Sequence, residues 1–215
     1  YIHSQLQSRP ILANVPVWVT ENNVNADWSN GGISVCNGTP FVLDSRGSSA
    51  FFAAWRPLVF SRLAQAGVRA LHHWGFAADA QFGEVSGATG GLYLSYWVDY
   101  WLARYFPSPP GSDVLELTPT ESSTVEILPT LRDDGTVVIM IANHAVKASG
   151  DNNGSGAPRT VVLDLSALGP FSSATQLTID AGTSPATGPS EQAVTPAAQM
   201  EITLNGYGVT FLALR

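Results

Sequence analysis

Positive charge is scarce in this chain. Ten Lys and Arg stand against seventeen Asp and Glu, a net charge of −7 over 215 residues, and the basic residues form no cluster. That balance argues against nucleic acid as a partner. Cysteine is almost absent: Cys36 alone can neither form an intrachain disulfide nor supply a Cys-based zinc site, and neither a metal nor any other cofactor is expected. No run of about 18 uncharged apolar residues occurs, so no helical membrane span and no membrane partner are expected. Neither a G-x-G-x-x-G nor a P-loop follows the early apolar strands, which sets aside a doubly wound nucleotide-binding fold.

With 45% apolar and 13% charged residues, the chain has ample material for a core and is not disordered. Sparse lysine, six Trp, and loops rich in Gly, Ser, Thr, Asn and Pro match the composition of exported proteins, so a secreted or extracytoplasmic location is expected. Ahead of Pro10 there is neither a basic nor an apolar signal region. Either export is absent or the chain begins downstream of its natural start.

The stretch that organises the chain is Val15 to Asn23, V-P-V-W-V-T-E-N-N. Its β-prone residues run into Glu21, and the apolar character then stops. Simple alternation puts Val15, Val17, Val19 and Glu21 on one face, expected to be buried, with Trp18 and Thr20 on the other. A carboxylate on a buried face is costly unless partnered or used, which makes Glu21 a functional candidate.

A helix end is expected over Tyr1 to Gln7, with Pro10 in the connection that follows. A long irregular loop from Trp28 to Gly47 precedes a helix that starts at Ser48 or Ser49 and stops at Gly67. Phe51, Phe52, Trp55, Leu58, Val59, Leu63 and Ala66 give that helix one apolar face, and Pro57 is expected to bend it. Val68 to Trp74 reads as a second strand, with His72 and Trp74 on one face and Leu71 and His73 on the other. A Gly-rich loop from Gly75 to Gly91 leads to a second helix over Leu92 to Tyr105. The order strand, helix, strand, helix argues for parallel strands with helical crossovers.

After S-P-P-G at residues 108–111 the texture changes. Short β-prone runs follow one another: Val114 to Leu117, Val125 to Leu131, Val137 to Asn143, Thr160 to Leu165, Ala174 to Ile179, Gln199 to Leu204 and Gly208 to Leu214. Turn signals such as Asp133-Asp134-Gly135, Asn152-Asn153-Gly154 and Asn205-Gly206 separate them. This is the pattern of an antiparallel β-sandwich. The expected organisation is an α/β part over 1–106, a linker over 107–112 and an all-β part over 113–215. Two strand-helix units do not make a barrel, which needs eight and about 250 residues, so the first part reads as a portion of a larger domain.

On these residues the chain resembles the retaining glycoside hydrolases of clan A, (β/α)8 barrels often followed by a C-terminal β-sandwich. Val15 to Asn23 is similar to barrel strand 7 with its terminal nucleophile, and Val68 to Trp74 to strand 8. Leu92 to Phe106 is similar to the last barrel helix. The ending Leu204-Asn205-Gly206-Tyr207-Gly208-Val209-Thr210-Phe211-Leu212 is similar to the closing hairpin of families such as 39, 30 and 51, with family 39 preferred. The resemblance implies Glu21 as nucleophile, Trp74 as an aromatic platform under the sugar, and a cis peptide bond after Trp74. It also implies a second carboxyl as acid/base at the tip of strand 4, and no position here corresponds to it. A barrel segment from the same or another chain, and an oligosaccharide or glycoside substrate, are the partners it implies.

Plainer readings stand beside these. The plainer reading of Glu21 is a strand-end carboxylate paired with an arginine such as Arg69, or a cap, and that of Trp74 is core packing. Asn22 and Trp28 are candidate sugar contacts or loop stabilisers. Of the two histidines, His72 is the candidate to line the site while His73 packs beneath a helix; on opposite faces, they do not chelate one metal together. Asp79 and Glu84 read as solvated loop charges. Tyr93, Tyr96, Trp97, Tyr100, Trp101 and Tyr105 read as a packing seam between barrel and sandwich. A non-catalytic carbohydrate-binding or structural sandwich is the rival function; the second half carries no tryptophan and only Tyr207 as tyrosine, too little for a flat stacking face.

Overall fold

The computed structural model describes residues 2–9, 14–107, 112–118, 123–148 and 154–215. The expected 108–111 link and most of the turn at 152–154 lie outside the described residues, as does Pro10. Helix α1 spans Ile2–Gln7. Strand β1 (Val17–Val19) leads into a loop that contains a small hairpin, β2 (Ser29–Asn30) with β3 (Ile33–Ser34). Helix α2 runs over Ala50–Gln65, started by the Ser49 side chain, which accepts from the Phe51 N–H. It ends before Gly67, whose φ of +79° is a conformation glycine adopts without penalty.

Strand β4 (Val68–Leu71) pairs in parallel with β1. The next loop holds a parallel two-residue bridge, β5 (Ala77–Ala78) with β6 (Val85–Ser86), before α3 (Leu94–Tyr105). The rest is β: β7 (Ser112–Val114), β8 (Val125–Arg132), β9 (Val137–Asn143), β10 (Arg159–Asp164), β11 (Ala174–Asp180), β12 (Gln192–Val194), β13 (Gln199–Leu204) and β14 (Gly208–Leu214). Six of these form one antiparallel sheet in the order β12-β11-β14-β9-β8-β7, faced by the antiparallel pair β10-β13. The expected sandwich is present, with β12 an added edge strand that its three-residue length does not advertise.

The sheet carries a core on each face. On one side Ile139, Ile141, Leu212 and Leu214 pack against Leu163, Met200, Ile202 and Leu204 of the second layer. On the other, Met140, Val138, Val209 and Phe211 meet Phe52 and Ala53 of α2 and Val98, Trp101, Leu102 and Tyr105 of α3. The two helices therefore cover the sandwich. Alternation along β9 and β14 sends neighbouring residues into different cores, so both strands are buried along their whole length.

Helix α2 departs from the single apolar face that its sequence suggests. Its deepest residues are Phe52, Ala53, Ala54, Arg56, Pro57 and Ser61, while Phe51, Trp55, Leu58, Val59 and Leu63 are half-buried. It lies between the sandwich sheet on one side and β4 on the other, and a helix packed on two sides needs apolar residues around most of its circumference. Polar ties fasten the same seam: Glu126 of β8 accepts from Ser61 Oγ at 2.7 Å and pairs with Arg62 at 2.8 Å. Tyr105 donates to Glu191 at 2.7 Å, and Trp97 to the Pro185 carbonyl at 2.7 Å. The aromatic residues of α3 are the seam that their spacing suggests.

Candidate active site

Two departures from a regular ladder decide which way the β1 side chains point. The pairing of β1 with β4 shifts between Val17 and Trp18. Beyond β1, His72 N–H donates to Val19 O at 3.0 Å, and Trp74 N–H to Asn22 O at 3.1 Å. Three residues on one chain thus match two on the other, a bulge at Thr20–Asn22 that reverses the alternation. Glu21 consequently leaves the face of Val17 and Val19 and joins Trp18, His72 and Trp74. The sequence expectation of a buried Glu21 beside the valines is corrected: Glu21 is exposed.

The face so defined is open. Trp18 is 60% and Trp74 55% exposed, His72 is exposed, and the Trp18 and His72 rings lie 6.2 Å apart. Among the described residues β1 and β4 pair only with each other, so no neighbouring strand covers these side chains. No ion pair or hydrogen bond engages Glu21 among the described residues. The pairing with Arg69 does not form. The peptide bond after Trp74 is cis, as the resemblance implies.

The opposite face is closed and polar. Val17, Val19, Asn22, Leu71 and His73 are half-buried there. Asn22 Oδ1 accepts from Arg56 at 3.0 Å, so this candidate sugar contact tethers the strand tip to α2 from the side away from Glu21. Arg56, only 5% exposed, also holds both carboxylate oxygens of Asp99 in α3, through Nε at 2.8 Å and an NH2 group at 3.1 Å. His73 packs edge-on against Phe52 at 5.2 Å, beneath the helix as expected.

The loops are locked to this scaffold by short-range polar contacts. Asn23 Nδ2 donates to the carbonyls of Trp74 and, at 3.3 Å, of Phe82, joining the residues after Glu21 to the loop after Trp74. Gln81, fully buried, donates to Asp27 O and accepts from Asp44 N–H at 2.8 Å, so one side chain closes both ends of the 28–43 segment. Trp28 is exposed on that segment, with its N–H donating to Asp27 Oδ1 at 2.9 Å. No hydrogen bond or ring contact joins it to Glu21, His72 or Trp74. Asp27 gathers Ser34 Oγ at 2.6 Å and the Cys36 N–H at 3.0 Å, and these hydrogen bonds, Ser34 first, hold its carboxyl below the usual range.

Glu84 differs from the solvated loop charge that its sequence context suggests. Burial, reinforced by Asp99, pushes its carboxyl up to about 7. Burial likewise pushes the His73 imidazole down. One donor atom each from His73, Glu84 and Asp99 lie within 4.8 Å of one another, but Arg56 already occupies both Asp99 oxygens, which leaves too few free donors for a cation. Asp79 is exposed and caps its own turn, accepting from the Gln81 N–H at 2.9 Å.

The sequence signals for the closed face were Arg56 and Asp99 themselves, each a charge set among apolar helix positions. Gln81 gave no such signal, since a glutamine in a Gly-rich loop is ordinary.

No protein-family model matches the chain, and no curated protein matches it by sequence. Solved structures do match. A GH30 endoxylanase from Clostridium papyrosolvens C71 superposes with a TM-score of 0.62 at 16% identity, over 100% of this chain and 45% of the other. A GH51 arabinofuranosidase from Xanthomonas axonopodis pv. citri gives 0.61 at 15% identity, over 99% and 43%. A family 44 xyloglucanase from Paenibacillus polymyxa gives 0.59 at 12%, over 98% and 34%. The chain thus spans less than half the length of these glycoside hydrolases and shares its fold with part of each.

Proposed function

We propose that this chain is the C-terminal part of a retaining clan A glycoside hydrolase, with residues 1–106 contributing to a (β/α)8 barrel and 113–215 forming its sandwich. The observation that supports the reading is that Glu21, His72 and Trp74, at the ends of two paired parallel strands, are all exposed, and that among the described residues no hydrogen bond or ion pair engages the glutamate. Neighbouring strands run about 4.8 Å apart, so a sugar ring stacked on Trp74 lies within reach of the Glu21 carboxylate.

In this mechanism Glu21 attacks the anomeric carbon and forms a glycosyl-enzyme intermediate. A second carboxyl, about 5 to 5.5 Å away, protonates the leaving oxygen and then activates water. That acid/base comes from a barrel segment outside the chain, so the 215 residues alone do not turn over substrate. His72 lines the same face, and the exposed Trp28 is a candidate further sugar contact from the 28–43 loop. The likeness to GH30 and GH51 structures supports a glycosidase of this general kind and does not single out family 39. Secretion suits a polysaccharide-degrading enzyme.

The test is mechanism-based trapping in the protein that carries the complete barrel: a 2-fluoro glycoside labels the peptide containing Glu21, and Glu21→Gln abolishes the label. Label on another carboxylate overturns the assignment. The rival reading, a binding sandwich, has a polar groove of about 470 Å³ in its favour, lined by residues such as Gln176, Thr178, Asp180 and Gln192. No aromatic side chain lines it. Oligosaccharide binding that survives Trp74→Ala in the 215-residue chain supports the rival.

A further inference from the structure

The polar cluster behind Trp74 is not used by the chemistry above. His73 Nε2 lies 2.8 Å from the Phe82 carbonyl. A carbonyl only accepts, so Nε2 carries the ring proton and Nδ1 presents a bare lone pair. That Nδ1 is buried and has no hydrogen-bond partner. Among the described residues neither Glu84 oxygen has one either. Asp99, the third member, is matched by Arg56. One ring nitrogen of His73 and one Glu84 oxygen lie within 4.8 Å of each other. Without a hydrogen between them they repel; with one, they attract.

The geometry points to a one-proton pair: Glu84 keeps its proton and donates it to His73 Nδ1, directly or through one water, and the pair positions Trp74 and the 75–91 loop. The gap of up to 4.8 Å is closed by a small side-chain rotation or a single bridging water. Arg56 of α2 and Asp99 of α3 are the charged groups facing the pair from the helices. Asn22, uncharged and just beyond β1, accepts from that Arg56. Burial acts on both partners in the direction the pair needs, keeping the carboxyl protonated and the ring neutral.

The link to Trp74 is structural. His73 precedes it in the chain. Phe82 O, which receives His73 Nε2, also accepts the Gly75 N–H at 2.8 Å, and the Glu84 N–H donates to Phe76 O at 3.0 Å. Residues 82–84 therefore close on residues 73–76 from both sides. Gly83 between them has no room for a side chain, since a Cβ there would lie 2.9 Å from the carbonyls of Asp79 and Val85. The attraction between Glu84 and His73 completes this clasp, and deprotonation of Glu84 opens it. That the clasp serves sugar binding rests on the reading of Trp74 as a platform; the pair itself does not.

The test uses the 215-residue chain labelled with 5-fluorotryptophan, the Trp74 resonance being assigned with Trp74→Phe, together with two-bond ¹H–¹⁵N spectra of the imidazoles. His73 is expected as the Nε2–H tautomer. The Trp74 ¹⁹F signal is expected to shift with a midpoint near pH 7 in the wild type. It should stay fixed in Glu84→Gln, whose amide donates to Nδ1 at every pH. Glu21, His72 and Asp79 are present in both proteins, so the difference isolates Glu84. An Nδ1-protonated His73, a wild-type signal that does not move, or an equal shift in Glu84→Gln overturns the pair. If Glu84→Gln does not fold, the wild-type tautomer and titration still decide. One equivalent of Zn²⁺ that binds His73 Nδ1 overturns it in favour of a metal site. Failure of the glycoside to label Glu21 while the Trp74 signal titrates sinks the glycosidase reading alone.

Discussion

Strands β1 and β14 are both short and apolar, yet they lie at opposite extremes. Every residue of β14 is buried, with a paired strand on each edge and a packed layer on each face. In β1 the pattern is half-buried, exposed, half-buried, and its one described partner is β4. The comparison separates stability from chemistry. The sheet and its two helices carry the apolar burial that holds the molecule together, at about 25 cal/mol per Å². The uncovered pair contributes little to that and presents Trp18, Glu21, His72 and Trp74. Large exposed aromatics clustered on one face mark a surface built to meet something else.

The widest gap between the regions is expected from truncating an aromatic in each. Phe211 is fully buried and stacks on Tyr105 at 5.0 Å. Phe211→Ala is expected to cost about 3–5 kcal/mol in urea unfolding, against less than about 1 kcal/mol for Trp74→Ala, which is already half exposed. Equal losses would break the distinction.

Next comes the junction between the regions. Arg56→Met leaves Asp99 without its guanidinium and Asn22 without its donor, for an expected loss of about 3 kcal/mol. Adding Asp99→Leu should recover much of that, because the buried charge is then gone. A double variant as unstable as the single one would show that Arg56 acts through Asn22 or packing.

The smallest effect is a slope. The folded-state pKa of Glu84 is raised, so the folded chain holds a proton that the unfolded chain gives up between about pH 4.5 and 7. Its contribution to stability is complete at low pH and is lost as pH rises through about 7. His73 is shifted downward and acts with the opposite sign: its contribution is present above the ordinary histidine range and lost as pH falls. Glu84→Gln removes the first slope and keeps the second, so thermal unfolding of the variant should gain on the wild type as pH is raised from 5 to 8. Parallel curves would remove Glu84 from the clasp.

Much of this architecture was legible in local pattern. The strands β9, β13 and β14 end where their β-prone runs end, and Ser49 and Gly67 bracket α2 because a hydroxyl can cap a helix start and glycine can adopt positive φ at its end. The candidate site was legible in residue type, with Glu21, His72 and Trp74 singled out from strand ends. The side on which Glu21 stands was not. Alternation assumes one residue opposite one residue, and the bulge at Thr20–Asn22 breaks that assumption through the register with β4, distant in sequence.

What the amino-acid order determined by itself was the class of each segment, because helix and strand periods and turn chemistry act over a few neighbours. Only the tertiary structure decided which charges are free and which are spent. Glu21 and Glu84 are the same residue type, yet one is exposed, with no partner among the described residues, while the other is half-buried near a histidine and an aspartate. Ionisation depends on solvent access and on charges brought close by folding, and neither is written in the residues on either side.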